Sequence, residues 1–348
     1  MKYGFGIIGT GVIAEVHARS IRSIGNAILI GAYDIDPVKT ENFSKQFDCR
    51  VFYSLDDLLG SPDISVVCIC TPSGAHLEPA LAAISSGKHC VIEKPLEITL
   101  KRCDQIIHAA RKKQIIVTGI YPSRFQEHSL ELKKAINAGR FGKIVMGDVS
   151  IKWFRSQEYY DSAAWRGTWN LDGGGVLMNQ GIHSVDLLQW CLGQVESVSA
   201  FAGMLGHQNI EVEDTAAAIL KFTGGALGVI EGSTAVFPGF FKKIEILGTR
   251  GSAILEENNF QVWKFRDESD TDQEIRRKYS GQPSSGGGVS DPKAISDIGH
   301  FRQLQDMVDA LEEERSPLVD AQEARKAVEI ILAIYKSART RRIVTLPL

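Results

Sequence analysis

The chain has 348 residues and a formal net charge of −3, from 39 Lys and Arg against 42 Asp and Glu. This length predicts two domains, and 44% hydrophobic with 23% charged residues is typical of a soluble globular protein. The balanced charge argues against nucleic acid or an anionic membrane as a partner, and no apolar run reaches the roughly 18 residues of a membrane span. The six cysteines form no C-x-x-C pair and no secretion signal is recognisable, so we expect reduced, buried thiols in the cytoplasm.

Strand and helix patterns alternate over the first 120 residues. Apolar runs without polar alternation indicate strands buried on both faces, as in a parallel sheet; they span residues 5–9, 27–33, 64–70, 89–92 and 115–118. The segments between them carry apolar residues at helical spacing. The pattern predicts a doubly wound α/β domain at residues 1–120.

After residue 120 the pattern changes to runs that alternate apolar and polar residues, such as Ile144–Trp153. Residues 121–348 are therefore predicted to form an α+β domain with an open, mostly antiparallel sheet, closed by helices near 298–314 and 321–338. The polar stretch at 267–297 predicts a long loop, which is either an active-site lid or a segment without fixed structure.

A glycine motif joins the first strand to the first helix. In Gly9-x-Gly11-x-x-Ala14, Gly9 permits a tight turn and Gly11 lets a pyrophosphate approach the backbone. Val12 and Ile13 begin the helix, whose N-terminal N–H groups can bind phosphate. Asp34 ends the second strand 20 residues after Ala14, where a carboxylate accepts hydrogen bonds from adenosine ribose hydroxyls and repels a 2′-phosphate. The sequence thus favours NAD over NADP, although the nearby Lys39 leaves NADP open.

Polar segments follow three later strands, at the edge of the sheet where ligands bind. We expect cofactor-binding residues in each; the candidates are Thr71, Pro72, His76, Glu93, Lys94 and Tyr121. Lys94 can hydrogen-bond a reacting hydroxyl and stabilise developing alkoxide charge. A surface lysine before a turn is the alternative reading.

A second polar segment follows a glycine run at residues 173–175. Asn179 and His183 are spaced by four residues, so on a helix they share one face and one pocket. Histidine suits general acid/base catalysis, although a lone histidine in an apolar helix is often a core residue. No metal-binding motif accompanies His183, so we predict no metal site.

Aromatic and cationic residues lie between these two segments. Tyr159, Trp165 and Arg166 suit a sugar or a phosphorylated or carboxylated ligand, and aromatic core packing explains the rings equally well.

These residues together resemble the Gfo/Idh/MocA oxidoreductase family over essentially the whole chain. The resemblance depends on the glycine motif, Thr71-Pro72, Glu93-Lys94-Pro95, Arg124-Phe125 and Gly181-x-His183-x-x-Asp186. It implies a Rossmann domain, a second domain whose open sheet packs against another subunit in a homodimer or homotetramer, and oxidation or reduction of cyclic sugars, inositols or nucleotide sugars. Carried over to this chain, Lys94 orients the reacting oxygen and His183 is the acid/base.

One departure from the family pattern narrows the substrate class. Many polyol-oxidising relatives carry aspartate four residues before the histidine, where this chain has Asn179. The sequence around it is similar to the branch that contains UDP-N-acetyl-2-amino-2-deoxyglucuronate 3-dehydrogenases. Such a substrate gives Arg124 or Arg166 a carboxylate or a diphosphate to bind. A UDP-N-acetylglucosaminuronate 3-dehydrogenase is thus the leading hypothesis.

Three alternatives remain open at this point. The first is an inositol or free-sugar dehydrogenase, and the second is an NAD-dependent glycosidase that oxidises C3 transiently. The third is a non-catalytic dinucleotide sensor, against which the presence of both Lys94 and His183 argues.

Overall fold

The structure is a computed structural model that describes residues 2–281 and 297–348. It contains two compact units, one made of residues 2–122, 170–173 and 297–328 and the other of residues 123–169, 174–281 and 329–348. The sequence pattern assigned residues 297–328 to the second domain, whereas they pack in the first unit. The reason is an apolar helix face that joins the first core, with Leu304, Met307 and Val308 fully buried.

The first unit contains a six-stranded, wholly parallel sheet in the order β3-β2-β1-β4-β5-β6. Its strands are β1 (Tyr3–Ile8), β2 (Ala27–Tyr33), β3 (Arg50–Val51), β4 (Val66–Ile69), β5 (His89–Ile92) and β6 (Val117–Gly119). The connecting helices are α1 (Val12–Ser23), α2 (Pro37–Gln46), α3 (Leu55–Gly60), α4 (Leu77–Ser85) and α5 (Leu100–Lys113). This is the doubly wound order, so the predicted Rossmann fold is confirmed.

The strand order of this sheet fixes where a ligand can bind. The order reverses between β1 and β4, and the crevice outside the carboxyl ends of such strands is the ligand site of this fold. The loops after β1, β4 and β5 carry the glycine motif, Thr71 and Lys94, respectively.

The second unit contains an eight-stranded sheet in the order β13-β12-β11-β7-β10-β9-β8-β14. Its strands are β7 (Ile144–Lys152), β8 (Val195–Gly203), β9 (Thr215–Phe222), β10 (Leu227–Ser233), β11 (Lys243–Gly248), β12 (Gly251–Glu256), β13 (Asn259–Phe265) and β14 (Val344–Thr345). Every neighbouring pair is antiparallel except β7 and β10. The predicted, mostly antiparallel sheet is confirmed, and the one parallel pair makes it mixed.

The sequence pattern missed two of the remaining helices, those at residues 157–161 and 270–278. The remaining helices are α6 (Glu127–Asn137), α7 (Gln157–Asp161), α8 (Ile182–Leu192), α9 (Asp270–Lys278), α10 (Asp297–Glu312) and α11 (Ala321–Thr340). Helix α9 lies inside the predicted loop at 267–297 and begins with a capping box between Ser269 and Asp272. Its sequence is too polar for an apolar stripe to reveal it. Residues 282–296 of that loop lie outside the described residues.

The two faces of the second sheet have different surroundings. In β9 the side chains alternate between buried and exposed along the strand. Leu188 and Leu192 of α8 pack over Gly147 on one face, whereas Phe201, Ile219 and Leu227 are exposed. In residues 2–281 and 297–348, no helix combines the length and apolar character needed to cross a membrane.

Candidate active site

The turn after β1 has the shape that a dinucleotide pyrophosphate requires. Gly9 has a φ of +88°, and a Cβ there would overlap the Cys70–Thr71 backbone, so only glycine fits. A Cβ on Gly11, in contrast, would meet no protein atom within 4 Å, which leaves the space over the start of α1 accessible. Val12 and Ile13 begin α1 as predicted, and N–H groups at such a helix start bind phosphate. The turn therefore fits a dinucleotide.

Asp34 is oriented by the same turn. Its Oδ2 accepts hydrogen bonds from the backbone N–H and the hydroxyl of Thr10, at 2.8 and 3.2 Å, and its Oδ1 accepts from the N–H of Asp36 at 3.0 Å. These contacts keep the carboxylate at the carboxyl end of β2 with lone pairs left for ribose hydroxyls. Lys39 lies in the first turn of α2, exposed, with its Nζ 3.9 Å from a carboxylate oxygen of Asp36.

His76 connects two of the predicted cofactor segments. It is fully buried, and its Nδ1 and Nε2 lie 2.9 and 3.0 Å from the carbonyl oxygens of Pro95 and Thr71. The imidazole thus holds the loops after β4 and β5 together. Thr71 donates its hydroxyl hydrogen bond to the Ala75 carbonyl, and Pro72 precedes a short 3-10 turn. We infer that Thr71 and Pro72 face a cofactor and that His76 supports them from behind.

Glu93 also lies behind the site. Its Oε1 is 2.8 Å from Nε2 of His17 and 3.8 Å from Nε2 of His300, and all three residues are buried. Its Oε2 accepts the backbone N–H of Lys94 at 3.1 Å. Burial alone would raise the pKa of Glu93, but the hydrogen bond and charge of His17, with the charges of His300 and Lys94, hold it at about 2. Glu93 therefore anchors the backbone from which Lys94 extends.

The same three side chains could in principle hold a metal ion. Their ligand atoms lie within 4.8 Å of one another, and two imidazoles with a carboxylate are a known transition-metal set. The 2.8 Å separation of His17 and Glu93 is that of a charge-assisted hydrogen bond. We therefore interpret the cluster as a buried ion pair. Sequence reasoning missed it because His17 and His300 are far apart in the chain.

Tyr121 is buried inside the first unit and is hydrogen-bonded to other residues of that unit. Its side chain is fully buried, its hydroxyl donates to the Ala324 carbonyl at 3.1 Å, and its backbone N–H donates to Oε1 of Gln303 at 2.8 Å. We infer that the ring of Tyr121 supports the cofactor edge without reaching a ligand.

In the second unit, the segment that carries Asn179 and His183 is a helix with an irregular first turn. Residues Val176–Gly181 are π-helical and α8 begins at Ile182, so Asn179 and His183 are not on one regular α-helix as the spacing predicted. Such π-helical turns are frequent at functional sites. Both side chains are half-buried, which suits groups that meet a ligand.

Arg124 is buried in an ion pair at the base of this helix. Its Nε and Nη2 donate to the two carboxylate oxygens of Asp186 at 2.8 and 2.6 Å, and both side chains are almost completely buried. A bidentate pair of this kind fixes the orientation of α8. We infer a scaffold role for Arg124, in contrast to the substrate contact expected from its sequence.

Tyr159 lies at the centre of a polar cluster beside Asn179, which we call the Tyr159 cluster. Its hydroxyl oxygen accepts from Nη1 of Arg166 at 2.6 Å and from Nε2 of Gln180 at 3.0 Å. Gln180 also donates to Oδ1 of Asn179 at 2.7 Å and accepts from Nη2 of Arg155 at 2.8 Å. The cluster therefore orients the Asn179 side chain.

The charge of this cluster comes from its two arginines. The Arg166 guanidinium lies 4.3 Å from the ring centroid of Tyr159 and 4.6 Å from that of Trp165. Arg155 is buried, and its burial lowers its pKa. Sequence reasoning missed Arg155 and Gln180. The available signal for Arg155 was its position directly after Trp153 and Phe154, three residues beyond the end of β7.

Comparisons with known proteins identify the family of both parts of the chain. Residues 3–121 match the oxidoreductase family with an NAD-binding Rossmann fold, and residues 129–254 match the GFO/IDH/MocA C-terminal domain. WlbA dehydrogenase from Chromobacterium violaceum, solved with NADH and UDP-GlcNAcA, is 34% identical over all of this chain and 96% of its own, with a TM-score of 0.90. The Bordetella pertussis WlbA, in complex with the same two ligands, is 32% identical over both full chains, with a TM-score of 0.89.

A relative with a different substrate is also similar in sequence. The myo-inositol 2-dehydrogenase of Thermotoga maritima is 28% identical over 71% of this chain and 73% of its own length. Both halves of the sequence match the family, and the full-length identity to WlbA exceeds 30%. The chain therefore belongs to the Gfo/Idh/MocA family and is an NAD(P)-dependent dehydrogenase.

Proposed function

We propose that this dehydrogenase oxidises the C3 hydroxyl of a UDP-N-acetylhexosaminuronate, with UDP-GlcNAcA as the leading substrate and NAD as the preferred cofactor. The observation that carries the proposal is the full-length similarity to two WlbA dehydrogenases in complex with NADH and UDP-GlcNAcA. The inositol dehydrogenases that the chain resembles are less similar in sequence, at 28% identity or below.

The Tyr159 cluster supports an anionic sugar. Arg166 is held by neutral groups, namely the Tyr159 hydroxyl and the rings of Tyr159 and Trp165, so its charge is left for a ligand carboxylate or phosphate. The Tyr159 hydroxyl already accepts two hydrogen bonds and can donate its own proton to a sugar oxygen. A neutral inositol would leave this cationic group without a counter-charge.

Asp34 supports NAD over NADP. Its carboxylate is fixed at the end of β2 by Thr10 and Asp36, where a negative charge accepts ribose hydroxyls and repels a 2′-phosphate. Lys39, the one cation that the sequence offered for NADP, is directed towards Asp36.

In the proposed reaction, the C3–H and O–H bonds break and a C3 carbonyl forms. His183 accepts the hydroxyl proton, and Lys94 donates a hydrogen bond to the same oxygen as charge develops on it. Bound NAD supplies the hydride acceptor. Asn179 cannot take a proton, so His183 has no carboxylate relay at that position, and Asn179 is left to bind a sugar hydroxyl.

The test is NADH formation, followed by absorbance, with three substrate sets: UDP-GlcNAcA, free inositols and hexoses, and glycosides. Turnover with UDP-GlcNAcA alone supports the proposal, and UDP-GlcNAc serves as the control that lacks the carboxylate. Turnover only with free polyols would contradict it. Release of an aglycone without net NADH would indicate the glycosidase, and NAD binding without turnover would indicate a sensor.

We also propose that a second copy of the chain covers the exposed face of the eight-stranded sheet. Phe201, Ile219 and Leu227 are 79%, 61% and 52% exposed and lie on β8, β9 and β10, three adjacent strands. An apolar patch of this kind on an open sheet is typical of a subunit interface. Ile219→Asp should yield monomers in light scattering, whereas Lys134→Asp, on α6, should leave the assembly unchanged. A wild-type monomer would contradict the proposal.

A further inference from the structure

The glycine run before the Asn179–His183 segment is in contact with a buried glutamate, Glu213, from a distant part of the chain. Glu213 directly precedes Asp214 and β9, and it is 4% exposed. Tyr335 lies on the part of α11 that belongs to this unit. The two side chains are joined by a hydrogen bond in which the Tyr335 hydroxyl donates to Oε1 of Glu213 at 2.7 Å.

Glu213 binds three consecutive backbone N–H groups at the start of the helix. Gly175 donates to its Oε2 and Leu177 to its Oε1, both at 2.9 Å, and Val176 donates to its backbone carbonyl at 3.0 Å. The first N–H groups of any helix have no partner within the helix, and they cost stability if buried without one. Glu213 therefore serves as the cap of this helix, supplied from a distant part of the chain.

The same contacts explain two of the three glycines in the run at residues 173–175. A Cβ on Gly175 would overlap the carbonyl of Glu213, and a Cβ on Gly174 would overlap the hydroxyl of Tyr335. Gly174 also has a φ of +156°, which disfavours any other residue. Gly174 and Gly175 thus make room for Tyr335 and Glu213 to approach the backbone.

From this geometry we propose that Glu213, together with Tyr335, is a positioning residue that fixes the helix start from which Asn179 and His183 extend. The inference rests on the proposed role of His183 as acid/base. The carboxylate acts two residues before Asn179, on the irregular π-helical turn, and turns of this kind are rare and frequent at functional sites. Loss of the cap would let this turn relax and displace His183, and a displacement of about 1 Å can lower turnover about 100-fold.

The test compares three variants. Glu213→Gln places an NH₂ group against the N–H of either Gly175 or Leu177, and Tyr335→Phe removes one donor to the carboxylate. Asp214→Asn is the matched control, because Asp214 is equally buried and accepts the N–H groups of Leu205, Gly206 and His207, away from the helix. Each variant is assayed for kcat and KM with UDP-GlcNAcA, for NAD binding, and for amide exchange of residues 174–183.

We expect Glu213→Gln to lower kcat about 10- to 100-fold and to accelerate exchange at 175–177 about tenfold or more, with NAD binding within about twofold of wild type. Tyr335→Phe should show smaller changes of the same kind, and Asp214→Asn should show neither. Unchanged kcat and exchange in folded Glu213→Gln would overturn the inference. If that variant does not fold, Tyr335→Phe decides in the same way.

The two readouts separate this inference from the proposed function. A wild-type enzyme without turnover on UDP-GlcNAcA would contradict the proposed substrate, and the exchange data would still decide whether Glu213 holds the helix start. Turnover in the wild type with equal loss of kcat in Glu213→Gln and Asp214→Asn would mean that Glu213 contributes only general stability, which contradicts positioning.

Discussion

Each compact unit places a buried glutamate behind the segment that carries a proposed catalytic residue, and the two glutamates are stabilised differently. Glu93, behind Lys94, is paired with histidines, and its pKa falls to about 2 although burial acts in the opposite direction. Glu213, behind Asn179 and His183, is held by neutral donors, so burial dominates and raises its pKa to about 7. The buried glutamate is therefore stabilised by charged partners in the first unit and by backbone N–H groups in the second.

The difference follows from what each segment needs. At the start of the Lys94 loop, Glu93 accepts the backbone N–H of Lys94 with one carboxylate oxygen and pairs with His17 through the other. The start of the Asn179 helix has several N–H groups without helical partners, and a carboxylate with two oxygens can bind two of them. Four predictions test this comparison.

The largest effect is expected from the two catalytic side chains themselves. Lys94→Met and His183→Asn should each lower kcat by roughly 10²- to 10⁴-fold, because one loses a donor to the developing charge and the other the base. NAD binding, measured by fluorescence, should be retained in both. Lys101→Met, on the exposed side of α5, is the control. Wild-type turnover in either variant would remove that residue from the mechanism.

Removing one partner of the buried His17–Glu93 ion pair is expected to destabilise the first unit. His17→Phe keeps the ring volume but removes the donor to Glu93, so unfolding free energy should fall by roughly 3–5 kcal/mol. Urea denaturation measures the change, with His108→Phe on the exposed face of α5 as the control. A loss below about 1 kcal/mol would show that Glu93 does not depend on His17.

The pH dependence of stability should have opposite signs for the two glutamates. The lowered pKa of Glu93 stabilises the fold above pH 4.5, and this contribution is lost as the pH falls towards about 2. The raised pKa of Glu213 has the reverse effect. Its protonated form stabilises the fold below pH 4.5, and the free energy of unfolding falls by roughly 2–4 kcal/mol as the pH rises from 4.5 to about 7. The differences between wild type and Glu93→Gln or Glu213→Gln, measured by urea denaturation across these windows, should therefore slope in opposite directions. Parallel slopes would contradict the contrast.

The smallest effect is expected at the cofactor edge. Asp34→Asn keeps the shape of the side chain but removes its charge, so the Kd for NAD should rise roughly 10- to 100-fold and discrimination against NADP should narrow. Titration with both dinucleotides tests this, with Asp56→Asn, at an exposed position of α3, as the control. Unchanged discrimination would mean that another residue excludes the 2′-phosphate.

The sequence predicts those features of the molecule that are encoded by residues close together in the chain. The glycine motif, Asp34 and the strand ends are local, and the mostly antiparallel sheet follows from alternating residues. It did not reveal contacts between distant segments. His300, on α10, lies beside Glu93. Glu213 accepts a hydrogen bond from Gly175, 38 residues away in the sequence, and Arg124 pairs with Asp186, 62 residues away. No spacing rule connects such residues, so the sequence predicts a substrate contact for Arg124 and no role for Glu213.

The most direct test of the proposed function is the fate of the C3 hydrogen. The enzyme is incubated with NAD and UDP-GlcNAcA deuterated at C3, and the nicotinamide product is analysed by mass spectrometry. We predict NADH that carries one deuterium, together with a 3-keto sugar nucleotide. Unlabelled NADH, or no reduced nicotinamide from this substrate, would contradict it.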